Sequence, residues 1–119
     1  MSNPVTHFEI AGRDGQKLQQ FYRDLFGWHV NADNPMQYGL VDTHSESGIG
    51  GGVMAAPEGQ PPHLTIYIDV DDLDATLLKV EAAGGKTVVP PTVVPDMVTF
   101  AVFADPEGHR ICLKTEMAH

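Results

Sequence analysis

The sequence predicts an α+β fold of two βαβββ modules in a single 1–119 domain. The modules form an open, barrel-like mixed sheet with the helices outside it. Three observations lead there. A strand pattern over 5–10 runs into a helical pattern ending at Gly27, and the same order recurs from a strand over 63–70 to a helix ending at Gly84-Gly85. His7 and His63 hold matching places in the two strands, 56 positions apart, close to half of the 119 residues. Only strand-like segments follow each helix, and the proline-rich stretch 57–62 separates the halves. Module one is expected over about 5–56 and module two over about 63–116.

The elements are justified in turn. In 5–10, Phe8 and Ile10 share one face and His7 and Glu9 the other. The first helix carries Leu18, Phe21, Tyr22, Leu25 and Phe26 at i, i+3, i+4, i+7 and i+8, one apolar stripe expected to face the core. Asp14 can cap its start, and Gly27 can end it in the left-handed conformation. Strands are expected over 37–42 and 49–55, joined by the polar loop 43–48. The strand over 63–70 alternates Leu64, Ile66 and Ile68 against His63, Thr65, Tyr67 and Asp69. The second helix has Asp71 as its expected cap, Asp74 in an acidic first turn, and Leu73, Leu77 and Val80 on its buried face. Strands over 86–89, 98–104 and 110–115 complete the second module, with Asp105-Pro106-Glu107-Gly108 as a turn.

Composition excludes several functions. Seven basic residues against sixteen acidic ones give a net charge of −9, which argues against nucleic acid and against an anionic membrane surface. Cys112 is the lone cysteine, so an internal disulfide and an all-cysteine metal site are excluded. The opening Met1-Ser2-Asn3-Pro4 has neither a basic start nor an apolar run, and a cytoplasmic location is expected.

The aliphatic strand faces must meet the helices, so the polar faces are expected to look into a concavity holding His7, Glu9, His63, Thr65, Tyr67, Cys112 and Lys114. Glu9 is available as a carboxylate donor or base, or as the ion-pair partner of Lys114. Cys112 reads as a small buried hydrophobe or as a thiolate ligand. Tyr38, Met54, Met97 and Phe100 are expected to line the pocket or to belong to the core. His29, His44, His109 and His119 fall in or near turns or the terminus and are expected in solvent. The run Gly50-Gly51-Gly52 is no phosphate loop, since no Lys-Ser/Thr and no helix follow it. It signals close backbone approach, a bulge or room for a ligand.

The chain resembles the vicinal oxygen chelate superfamily, which includes glyoxalase I, bleomycin- and fosfomycin-resistance proteins and extradiol dioxygenases. The marks are His7, the helix KLQQFYRDLFGW (17–28), His63, LLKVEAAGGK (77–86) and the closing hairpin FADPEGHRICL (103–113). The resemblance implies two βαβββ modules, a small-molecule ligand and a homodimer. In metal-dependent members the ligands come from four strand positions. His7 and His63 fall on two of these, Cys112 stands where glyoxalase I has a carboxylate, and the fourth falls in 49–53, which has no side chain able to bind metal. A divalent ion (zinc, nickel, manganese or iron) on His7, His63 and Cys112 would make a metal-assisted lyase, isomerase or dioxygenase-like enzyme acting on a bidentate oxygen substrate, with Glu9 as base. The alternative is a non-catalytic, metal-free module that binds a small molecule.

Overall fold

The computed structural model describes residues 2–95 and 98–116, with the side chain of Glu116 outside the description. The element order is β1 (Val5–Gly12), α1 (Gly15–Phe26), β2 (His29–Asn31), β3 (Gly39–Asp42), β4 (Gly50–Ala55), β5 (His63–Asp69), α2 (Leu73–Ala82), β6 (Lys86–Val94), β7 (Val98–Ala104) and β8 (Arg110–Glu116). This is βαβββ twice, an α+β mixed sheet with two helices, as expected. The chain divides into two compact units, one holding Thr6–Thr65 and the other the rest of the described chain. Among the described residues no helix is long and apolar enough to cross a membrane.

In the first unit the strand order is β2-β3-β4-β1. β1 runs parallel to β4 with His7 opposite Gly50 and Glu9 opposite Gly52, while β3 is antiparallel to both β4 and β2. Val30, Val41 and Val53 form the core, with Phe8, Ile10, Leu18, Tyr22 and Trp28 packed on it. The aliphatic face of β1 therefore meets α1, as alternation requires.

Helix α1 is capped as the sequence indicates: Asp14 accepts from the Lys17 N–H at 3.1 Å, and Gly27 ends it at φ 69°. Its buried face differs from the expected one. Phe21, Leu25 and Phe26 are 51%, 58% and 62% exposed, whereas Gln19 is 4% exposed. The helix is rolled so that Leu18, Gln19 and Tyr22 meet the sheet, because Gln19 gives its side-chain N–H to the backbone carbonyls of Val53 at 2.8 Å and Gln37 at 3.2 Å. A hydrogen-bonded polar side chain can displace apolar ones from a core-facing position when it satisfies buried carbonyls. Apolar periodicity does not reveal such a bond. The short strand β2 was not expected either; three residues carry too little alternation to read.

In the second unit β8 lies parallel to β5 and antiparallel to β7, and β7 is antiparallel to β6. Val70, Leu73, Leu77, Ala101 and Leu113 form its core, with Ile68 and Phe103 against them. The cap of α2 is Asp72, which accepts from the Ala75 N–H at 3.0 Å, and not the expected Asp71. Both aspartates suit the chemistry, and the backbone enters the helix one residue later. Strand β6 continues through Pro90-Pro91 to Val94, beyond the expected 86–89, with register shifts around Val89. Proline has no N–H for the ladder, and such shifts absorb its loss. Leu64, expected on the aliphatic face of β5, is 73% exposed at the strand's start.

The Asp105-Pro106-Glu107-Gly108 turn forms as read. The Asp105 carboxylate accepts the His109 backbone N–H at 2.9 Å, faces the His109 Nδ1 at 3.0 Å and accepts the Glu107 N–H at 2.9 Å. The His109 backbone donor, aided by its ring and by Glu107, holds the Asp105 carboxyl below its ordinary 3.8. A lowered carboxyl stabilises the fold fully above its unfolded value, and that stability is lost as pH falls through the folded one. An NMR titration should therefore give Asp105 a midpoint below 3.8, with the turn opening only under more acid conditions. A midpoint at or above the ordinary value would contradict the bonding described.

Candidate functional site

The polar face of β1 generates the site. His7 and Glu9 point the same way from alternate positions, and the β4 positions opposite them are Gly50 and Gly52. No side chain from β4 stands there, and the ring of Tyr38, just before β3, takes the space. A Cβ built on Gly52 would fall within the Tyr38 ring. The Tyr38 ring stacks at 15° on His7, with centroids 6.2 Å apart. Its hydroxyl lies 2.9 Å from His7 Nε2 and donates to Glu9 Oε1 at 3.1 Å. His63, the first residue of β5, brings its Nε2 to 3.1 Å from Glu9 Oε2. Four side chains of one unit thus form a chain His7–Tyr38–Glu9–His63 around a carboxylate that is 5% exposed.

The protons in this chain can be assigned by counting. A tyrosine has one hydroxyl proton; with that proton assigned to Glu9, His7 donates to the Tyr38 oxygen through Nε2. A carboxylate only accepts, so His63 also donates through Nε2. In this assignment both histidines are Nε2–H donors.

Tyr38 is held from several sides. Asn34 gives its side-chain N–H to the Tyr38 carbonyl at 2.8 Å and accepts the Tyr38 N–H at 2.9 Å. Gln37 turns the chain into position at φ 52°, and its carbonyl is the one bound by Gln19. Left-handed backbone at a non-glycine residue costs about 1–3 kcal/mol and persists where neighbours enforce it. Sequence reading missed Gln19 and Asn34. Asn34-Pro35 is a turn signal that was open to view, whereas Gln19 lies within an apolar stripe and gives none.

The other expected site residues are placed as follows. Thr65, two residues beyond His63, is 8% exposed in the same unit, and Met54 is half-buried on β4 opposite Ala11. Tyr67, Phe100, Cys112 and Lys114 belong to the second unit. There Cys112 is buried, in register with Tyr67 and Val102, and Phe100 stands opposite Lys114. The expected Glu9–Lys114 pair is replaced. Lys114 binds Asp69 at 2.6 Å, its register partner on β5, and Glu9 has Tyr38 and His63. Cross-strand register brings Asp69 to Lys114 without further folding. Met97 and His119 lie outside the described residues. His29, His44 and His109 are exposed as expected.

Residues 5–113 match the Glyoxalase/Bleomycin resistance protein/Dioxygenase superfamily. The chain belongs to this superfamily. A protein of Mycobacterium tuberculosis named as a candidate glyoxylase, CFP32, is 34% identical over 113 residues, 88% of this chain and 42% of that protein. The anthracycline biosynthesis protein DnrV of Streptomyces peucetius is 30% identical over 117 residues, 85% of this chain and 42% of its own length. The chain thus spans less than half the length of these curated relatives. Methylmalonyl-CoA epimerase from Mycobacterium tuberculosis shares the fold at TM-score 0.71 and 18% identity, over 96% of this chain and 88% of that one.

Metal-dependent members of the superfamily make a cation test necessary. Two imidazoles and a carboxylate are chemically suited to several divalent metals. As arranged, they do not fit one. Both Nε2 atoms are engaged, one by the Tyr38 hydroxyl and the other by Glu9, and among the described residues no group of three His, Cys, Asp or Glu side chains stands placed to hold a metal. Substituting Gly52→Ala tests the geometry, because the new methyl must displace the Tyr38 ring. Overpacking of this kind costs about 1–3 kcal/mol. Near-ultraviolet circular dichroism and urea unfolding should register the loss of the ordered tyrosine together with the lower stability. An unchanged spectrum and midpoint would contradict the placement.

Proposed function

We propose that the protein is a small-molecule-binding member of its superfamily that works without a resident metal, with His63 as the group that meets the ligand. The observation supporting this is the hydrogen-bond order around Glu9. A neutral imidazole that donates through Nε2 presents Nδ1 as an acceptor, and the His63 side chain is 32% exposed, against 7% for Glu9. The fitting ligand is therefore a small molecule carrying a hydroxyl or another hydrogen-bond donor. In a reacting ligand, His63 would take the proton, and Glu9 would hold the ring in this tautomer and balance the imidazolium charge. This is the division of labour a carboxylate–histidine pair performs in general-base catalysis. On this reading Glu9 is a positioning group for His63 and not the base that touches the ligand. The rival reading keeps a divalent ion on His7, His63 and Cys112, with Glu9 as base.

Two measurements decide between the readings. The first is elemental analysis of protein purified without chelator or affinity nickel, which should find far less than one metal ion per chain. The second is a thermal-shift screen of hydroxylated small molecules on wild type, His63→Ala and His44→Ala. Hits should lose their shift in His63→Ala and keep it in His44→Ala. Stoichiometric metal, or hits indifferent to His63→Ala, would sink the metal-free reading.

We also propose that the chain forms a homodimer, with the exposed Phe21, Leu25 and Phe26 of α1 covered by a second copy. These side chains leave an apolar face open to solvent beside the Tyr22 and Trp28 rings that Phe21 and Phe26 touch. Light scattering should give the mass of two chains, and Phe26→Glu should give that of one. A single-chain mass for wild type at micromolar concentration would refute the dimer.

A further inference from the structure

We infer that Tyr38 is the specificity-determining residue of this site. Its hydroxyl occupies the space between His7 and Glu9 that a cation would need, and Gln19 is the positioning residue that keeps it there. The inference rests on the metal-free reading above and adds its cause.

The argument begins with protons. His7, Glu9 and His63 make a donor set that suits zinc or nickel, so residue type alone does not exclude metal. A histidine ligand must offer a lone pair to the ion, and a metal must displace any proton on that nitrogen. With the Tyr38 proton on Glu9, Tyr38 prevents this at His7, whose Nε2 proton it then accepts at 2.9 Å. It also occupies one oxygen of Glu9 with its own proton, at 3.1 Å. That leaves the second Glu9 oxygen to His63 and completes a chain with no vacant Nε2 lone pair. A tyrosine hydroxyl is both donor and acceptor, which is what a place between an N–H and a carboxylate requires. Phenylalanine would satisfy neither.

The placement of Tyr38 is also reinforced beyond what a lining residue needs. Gly52 yields the room for its ring, and a Cβ there would coincide with it. Asn34 binds its backbone at both the N–H and the carbonyl. Gln37 is in the left-handed region immediately before it. Gln19 spends both its buried position, at 4% exposure, and its side-chain N–H group on Gln37 and Val53. A buried amide from α1 thus ties the strained residue before Tyr38 to the strand that carries Gly52. Gln19 touches none of the network's side chains in these bonds and acts through Tyr38.

The test uses the full chain, labelled with ¹⁵N, with long-range ¹H–¹⁵N spectra to read the imidazole tautomers and calorimetric titration with zinc at neutral pH. Wild type should show His7 and His63 both as Nε2–H. Tyr38→Phe keeps the ring and should move His7 off the pure Nε2–H form, leaving His63 as it was. Gln19→Met, close in shape, should reproduce the His7 change. Tyr38→Ala should bind zinc at least about tenfold more tightly than wild type, within the range that neighbouring-group changes produce at metal sites, and adding Glu9→Gln should cancel the gain. Should Tyr38→Ala fail to fold, the Tyr38→Phe spectra decide. An Nδ1–H His7 in wild type, or a folded Tyr38→Ala with no gain in zinc affinity, overturns the inference. A Gln19→Met protein that melts earlier but keeps the wild-type His7 signal overturns the role of Gln19. Tight stoichiometric zinc in wild type instead strikes the metal-free reading itself, so the two failures are distinguishable.

Discussion

A carboxylate taken out of water must find donors or become neutral, and Glu9 is 5% exposed. Its two oxygens are met by the Tyr38 hydroxyl and the His63 ring, and most of the first unit's unusual features serve that arrangement. Tyr38 reaches Glu9 because Gly52, directly across the β1–β4 ladder from Glu9, has no side chain. It stays there because the turn before it is bound by Asn34 and Gln19. Gln19 in turn requires α1 to roll Phe21, Leu25 and Phe26 outward. Removing either donor would leave a buried carboxylate oxygen unsatisfied, which costs about 1–3 kcal/mol and more for a charged group. The site and the packing of α1 are therefore one construction.

Much of this was legible in the residues. Strand alternation placed His7 and Glu9 together, and Phe8 and Ile10 with the helix, and the structure agrees. The repeat order, the Asp14 cap, the Gly27 stop and the Asp105 turn were equally readable, because each depends on residues close in sequence. What was not readable depended on long-range partners. Glu9 was weighed against Lys114, yet cross-strand register gives Lys114 to Asp69. The α1 stripe points Phe21, Leu25 and Phe26 inward along with Leu18 and Tyr22, and a single buried amide turns those three out. Asp71 and Asp72 carry the same capping chemistry, so only the path of the backbone chose between them. The glycine run signals close backbone approach, a bulge or room for a ligand, and nothing in the sequence indicates that Tyr38 takes the space.

The superfamily match and the site speak to different levels. Residues 5–113 carry the family pattern, and the fold follows from strand and helix periodicity that any member must keep. Chemistry depends on a few positions that can change without disturbing that periodicity. Glycine at 50–52 and cysteine at 112 occupy such positions. Each is compatible with a strand, and neither brings a carboxylate or an imidazole to its position. Replacing a side chain by glycine also opens volume, which another residue of the chain can claim.

The ends of the strand series carry a consequence for life at high concentration. β2 is three residues long, and β6 contains Pro90-Pro91 with register shifts on either side of Val89. An exposed edge with a regular row of N–H and C=O groups invites a strand from another molecule, and unchecked addition leads to fibrils. Here one terminal strand is too short to template much, and the other has gaps where its donors are missing. Together with a net charge of −9, which makes like molecules repel, these features should keep a crowded solution of the chain from growing by strand addition.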